Sequence, residues 1–252
     1  MLRALLERGV RPDLIVGSSV GALNGLAVAA SPGLEAVDQL SRTWTTLQAR
    51  DVFSSSVVGQ ITNLVRHGTH LHGNGSLRQL IEDSAGSARI EDLAVPFQCV
   101  AACIEQAAAH WFDRGPVVEA VLASCAVPGL LPPVPVGDRH YMDGGLVASV
   151  PVGRAVELGA TRIFVLHVGR LERPLNAPTR PWDVALVAFE IARRHQFADD
   201  MARLPRGVDV HVMPTGDLPP ALSMRYRSPS AVGRRIEAAY EASSGFLEQM
   251  AI

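Results

Sequence analysis

The chain has 252 residues, 48% of them hydrophobic and 19% charged, a balance that excludes a disordered, collagen-like or disulfide-scaffold protein and leaves room for a large core. Its formal net charge of -2 supplies no overall field for nucleic acid or an anionic membrane surface; no nucleic-acid partner is expected, and membrane contact would have to be local. Lysine is absent and all 23 basic residues are arginine, interleaved with acids as on solvated faces.

In chain order, Leu2, Leu5 and Leu6 recur at helical spacing, and Gly9 with Arg11-Pro12 ends that helix. The apolar run Asp13 to Gly17 reads as a strand, followed by a small-residue helix reaching Ala30. Leu34 to Leu47 reads as another helix with Trp44 on its apolar side. Between Asp51 and Gly75 the pattern weakens into an expected loop or cap, carrying His67, His70 and His72. Ser76 is placed to cap a helix through Asp83, Pro96 to Ile104 reads as a strand, and His110 to Phe112 as its partner.

Pro116 to Cys125 reads as a helix, and the prolines from Pro128 to Pro135 predict an extended loop over the surface. A strand Arg139 to Met142 then meets the turn Asp143-Gly144-Gly145. A helix from Val152 closes at Gly159, a strand spans Thr161 to His167, a long helix runs from Pro181 towards Arg203, a strand covers Val208 to Met213, and a last helix starts near Pro229. Strands alternating with helices predict an α/β fold: a mainly parallel sheet flanked by helices on both faces, in one domain spanning 1–252.

The three cysteines, Cys99, Cys103 and Cys125, form no Cys-x-x-Cys pair and are expected to be buried, reduced thiols. No run of 18 apolar residues occurs, and charges sit where a signal peptide would be apolar, so a cytoplasmic location is expected, with peripheral membrane contact left open.

Gly17-Ser18-Ser19-Val20-Gly21 matches G-x-S-x-G directly after a strand and before a helix, the context in which such a serine becomes an exposed nucleophile. Flanking glycines at Gly17 and Gly21 would let the turn tighten where a Cβ would clash. A tight connection or phosphate-binding turn is the plainer alternative. Asp143, followed by Gly144 and Gly145, lies on a backbone able to approach another loop closely, as a carboxylate acting as base to a hydroxyl requires; an Asx or hairpin turn is the plainer alternative there. A Ser-Asp-His triad could be drawn to His167, His195 or His211, but eighteen residues before the serine cannot hold the strands that precede it in an α/β-hydrolase. The His67, His70 and His72 cluster lacks carboxylate or thiol companions at ligand spacing, and Gly17 and Gly21 lack a third dinucleotide-site glycine, so neither metal nor cofactor is expected.

Three ordered blocks resemble the patatin-like phospholipases, including bacterial relatives of neuropathy target esterase: Gly17 to Gly25, Ala123 to Val134, and Asp143-Gly144-Gly145 followed by Val150-Pro151-Val152. The resemblance implies a Ser-Asp dyad without histidine, with Ser19 as nucleophile and Asp143 as base, hydrolysing fatty-acyl esters of lipids or lysophospholipids through an acyl-enzyme. In the family a strand and a glycine-rich loop precede the helix that here starts at Met1, and that loop supplies oxyanion N–H groups. Relative to the family the domain is therefore read as N-terminally incomplete, by a start placed too late or by degeneration into a lipid-binding or regulatory module. Val52 to Leu71 and the prolines around Leu131 are the expected acyl groove. Oligomeric state is not legible.

Overall fold

The computed structural model describes residues 1–46, 73–167, 174–178, 181–216 and 229–250. The histidine cluster at 67, 70 and 72 and the groove segment 52–71 lie outside the described residues.

The chain starts on helix α1, Leu2–Glu7, whose Ala4, Leu5 and Leu6 are buried. It ends where the amides of Gly9 and Val10 fold back onto the carbonyls of Leu6 and Leu5, with Gly9 taking the left-handed φ that closes such an end. Strand β1, Ile15–Ser18, leads into helix α2, Val20–Ala30. This helix is rich in small residues, and a Cβ at Gly25 would lie 2.8 Å from the Ile15 side chain, so glycine there lets α2 settle directly on the sheet. Helix α3, Leu34–Thr46, follows. Its Trp44 packs on the core and donates its indole N–H to Asn24 Oδ1 at 2.8 Å.

Helix α4 spans Gly75–Ala85; it begins at Asn74 and not at Ser76. Strand β2, Phe97–Cys103, is buried almost throughout, pairs with strand β3, Ala108–Phe112, and is followed by helix α5, Val117–Ser124. The proline-rich stretch is less of a surface loop than expected, because Leu131 and Val134 are buried and Val134–Val136 forms strand β4 against strand β5, Arg139–Asp143. Proline is tolerated in β4 because the strand lies at the end of the sheet order. Helix α6, Val152–Glu157, strand β6, Arg162–Val165, helix α7, Pro181–Ala202, strand β7, Asp209–Val212, and helix α8, Pro229–Gln249, complete the order.

The fold is α/β, with a mixed sheet flanked by helices. Helices α2, α4 and α5 supply much of the main core around β2, and α1 with α8 forms a second cluster over β6 and Met213. Strands β1 and β2 pair in parallel, as do β6 and β7, whereas β3, β4 and β5 join antiparallel. The register around β2 carries the main consequence. β1 pairs with Phe97 to Val100, and β5 pairs with Ala101 to Cys103. Because β3 occupies the other edge of the same residues, β1 and β5 share one edge of β2 and meet end to end. Ser18 lies opposite Val100, and Asp143 lies opposite Ala101.

Candidate active site

At the meeting point of β1 and β5, Ser19 leaves the sheet. It is the N-cap of α2 with φ 53° and ψ -126°, a conformation that a residue bearing a Cβ adopts only at a cost of about 1–3 kcal/mol. The turn is tight because a Cβ on Gly17 would lie 2.6 Å from Ala22 Cα. Gly21 differs from expectation: an added Cβ there would meet nothing within 4 Å, so this glycine opens space beside Ser19 and does not relieve a clash.

Ser19 Oγ donates to Asp143 Oδ2 at 2.6 Å, across 124 residues of sequence. The other carboxylate oxygen, Oδ1, accepts the Gly145 N–H at 2.8 Å. Gly144 is required by close approach, since a side chain there would overlap the carbonyl of Val100 on β2. Gly145 sits under Phe189 of α7. The backbone N–H of Ser19 donates to Ser124 Oγ at 3.0 Å, and that of Asp143 to the Ala126 carbonyl at 2.9 Å.

Asp143 is 1% exposed. Burial pushes its carboxyl up to about 6, against the opposing pull of the Ser19 hydroxyl, the Gly145 N–H and the Arg193 guanidinium. Arg193 is held by Glu190 in two contacts of 2.7 and 3.0 Å. Cys125 and Cys99 are buried, and burial keeps both thiols protonated. Of the histidines considered for a triad, His195 is an exposed neighbour of Asp199, His211 stacks on Phe164, and His167 is buried; the hydroxyl of Ser19 is directed to the carboxylate.

Ser19 and Asp143 open into a cavity of about 2010 Å³, well above the ~300–1,000 Å³ of ordinary ligand pockets. Val20, Trp44, Val127 and Phe189 contribute apolar wall. The cavity also runs between β1 and β6, every residue of which lines it. Among the described residues β1 pairs only with β2 and β6 only with β7, and the part of the cavity that both strands line forms a slot. The hydroxyl of Ser18, a 7% exposed residue lining the same cavity, has no hydrogen-bond partner in the structure.

The structure thus brings together Ser19, Asp143, Gly17, Gly144 and Gly145. Leu131, expected near the acyl groove, is instead a core residue. Ser124, Phe189 and Arg193 escaped sequence reasoning. Only Ser124 had a signal, its place in the block Ala123 to Val134; the two on α7 carry no motif.

Among known proteins, the model of the patatin-like phospholipase family matches residues 1–156. Neuropathy target esterase sws of Drosophila melanogaster is 27% identical over 67% of this chain and 12% of its own length. The human patatin-like phospholipase domain-containing protein 6 is 28% identical over 67% of this chain and 12% of its own. An NTE family protein of Mycobacterium bovis is 30% identical over 60% of this chain and 39% of its own. The matched segment therefore spans well under half the length of each of these relatives.

Proposed function

The chain belongs to the patatin-like phospholipase family, and from that premise we propose that it is a serine acyl hydrolase cleaving fatty-acyl esters of lipids, with Ser19 as nucleophile and Asp143 as base. The 2.6 Å bond from the Ser19 hydroxyl to the carboxylate carries this reading. Ser19 Oγ attacks the ester carbonyl carbon while its proton passes to Asp143. The protonated Asp143 then hands that proton to the departing alcohol, leaving an acyl-enzyme. Water adds to the acyl carbon, gives a proton to Asp143, and the fatty acid departs as the proton returns to Ser19. An ordinary aspartate is a weak base for this task, and burial that lifts the group to about 6 improves the match to neutral pH. The N-terminus of α2 beside Ser19 favours negative charge developing there, and the apolar wall of the cavity suits an acyl chain. Lipid or lysophospholipid is the substrate class this supports; a cytoplasmic domain touching the membrane peripherally is the matching location. No helix among the described residues is long and apolar enough to cross a membrane.

The slot between β1 and β6 favours a second reading. The alternative is a lipid-binding or regulatory module that keeps the cavity and lacks turnover. Hydrolysis of a p-nitrophenyl acyl ester by the 252-residue chain and by one extended with in-frame upstream residues separates the readings. Ser19→Ala should lower turnover at least about 10³-fold in whichever form is active. Inactivity of both forms favours the module.

A further inference from the structure

We propose that Ser124 is a positioning residue for the nucleophile, and that one turn at the end of α5 sets the separation of the reacting pair. The inference rests on the assignment of Ser19 and Asp143 above. Residues 124–126 touch both backbones: Ser124 Oγ accepts the Ser19 N–H at 3.0 Å, and the Ala126 carbonyl accepts the Asp143 N–H at 2.9 Å. The two contacts lie two residues apart on a segment that begins in a helix with every residue from Val117 to Ser124 buried except Glu119. A helix packed on all sides moves little, so it serves as a fixed anchor.

The nucleophile needs such an anchor. Ser19 stands at φ 53°, where a serine persists only if its surroundings over-determine the conformation. As N-cap of α2 its carbonyl is committed to the Ala22 and Leu23 amides, and its own N–H is paired with the side chain of Ser124. Here a side chain supplies the acceptor that regular structure does not. Ser124 is 0% exposed. Its hydroxyl oxygen is the atom that accepts the Ser19 N–H, so the elbow uses the hydroxyl and not merely a small side chain. If the tether is lost, the elbow can relax and the 2.6 Å bond to Asp143 lengthens.

Three variants test this. Ser124→Cys keeps the volume but is a poor acceptor, Ser124→Ala loses the acceptor, and Ser124→Thr keeps the hydroxyl. Amide hydrogen exchange, read by residue-resolved NMR, should show the Ser19 amide exchanging at least tenfold faster in Ser124→Cys and Ser124→Ala, with the Val100 amide unchanged. Ester hydrolysis by the active form should fall in kcat at least tenfold with KM within twofold, and Ser124→Thr should recover most of both. Unchanged Ser19 exchange in Ser124→Cys overturns the tether, and faster exchange with kcat intact overturns the positioning role. If Ser124→Thr does not fold, Ser124→Cys against the parent decides alone. Absence of ester hydrolysis in both the 252-residue and the extended form defeats the hydrolase reading, while Ser19 exchange still decides the tether.

Discussion

A carboxyl group buried to 1% exposure beside a hydroxyl has two consequences that can be measured separately. Burial holds Asp143 up to about 6, and only its ionised form can take the Ser19 proton. Turnover of a short-chain ester should therefore rise as pH is raised through about 6 and level off above 7; a flat profile down to pH 4.5 would contradict the assignment. The titratable groups acting on or near the carboxylate are Arg193, with its partner Glu190 on α7, and Cys125, with Cys99 beyond it. The second consequence concerns stability. Since the folded value lies above the unfolded value of 3.8, folding is favoured most below pH 4, and that contribution is lost as pH rises through about 6. An upward shift from 3.8 to about 6 corresponds to about 3 kcal/mol at neutral pH. Asp143→Asn should thus melt several degrees higher than the parent at pH 8 and show little gain at pH 4, while losing nearly all turnover. An equal gain at both pH values would place the stabilisation elsewhere.

At the scale of elements, the end-to-end meeting of β1 and β5 on one edge of β2 demands the glycine after the aspartate. Gly144→Ala would drive a methyl into the Val100 carbonyl and should cost about 2–3 kcal/mol or prevent folding. Gly21→Ala should behave oppositely. It lies inside α2 with open space around it, so alanine should stabilise the helix by about 0.5–1 kcal/mol while the added methyl narrows the cavity beside Ser19. Thermal melts of the two variants, with ester hydrolysis of Gly21→Ala, check both outcomes. Helices α1 and α6 are legible because each carries buried apolar residues and a terminator: Gly9 ends α1 and Gly159 follows α6, both at positive φ. The proline stretch was misread because it contributes Leu131 and Val134 to the core, and burial overrode the composition. The antiparallel pairs β2–β3 and β4–β5 are hairpins with short connections, set among strands that otherwise alternate with helices.

For the whole molecule, the open slot between β1 and β6 is the feature with the widest effect. Unpaired strand edges template association, and the unpartnered Ser18 hydroxyl lies on the same wall. The chain should therefore self-associate as its concentration rises, read by sedimentation velocity. Sedimentation independent of concentration would show that these edges do not template association.

By itself the sequence determined the strand-to-helix turn at Ser19, because a strand, a tight glycine turn and a helix are set by neighbours within about ten residues, and it marked Asp143 through the glycines that follow it. Tertiary structure alone decided that these two residues meet. Their contact depends on the register of β1 and β5 along β2, on the turn after α5 that holds both backbones, and on Phe189 and Arg193 arriving from α7. Register is settled by the packing of whole faces against the core, and no local pattern records which strand ends will face each other.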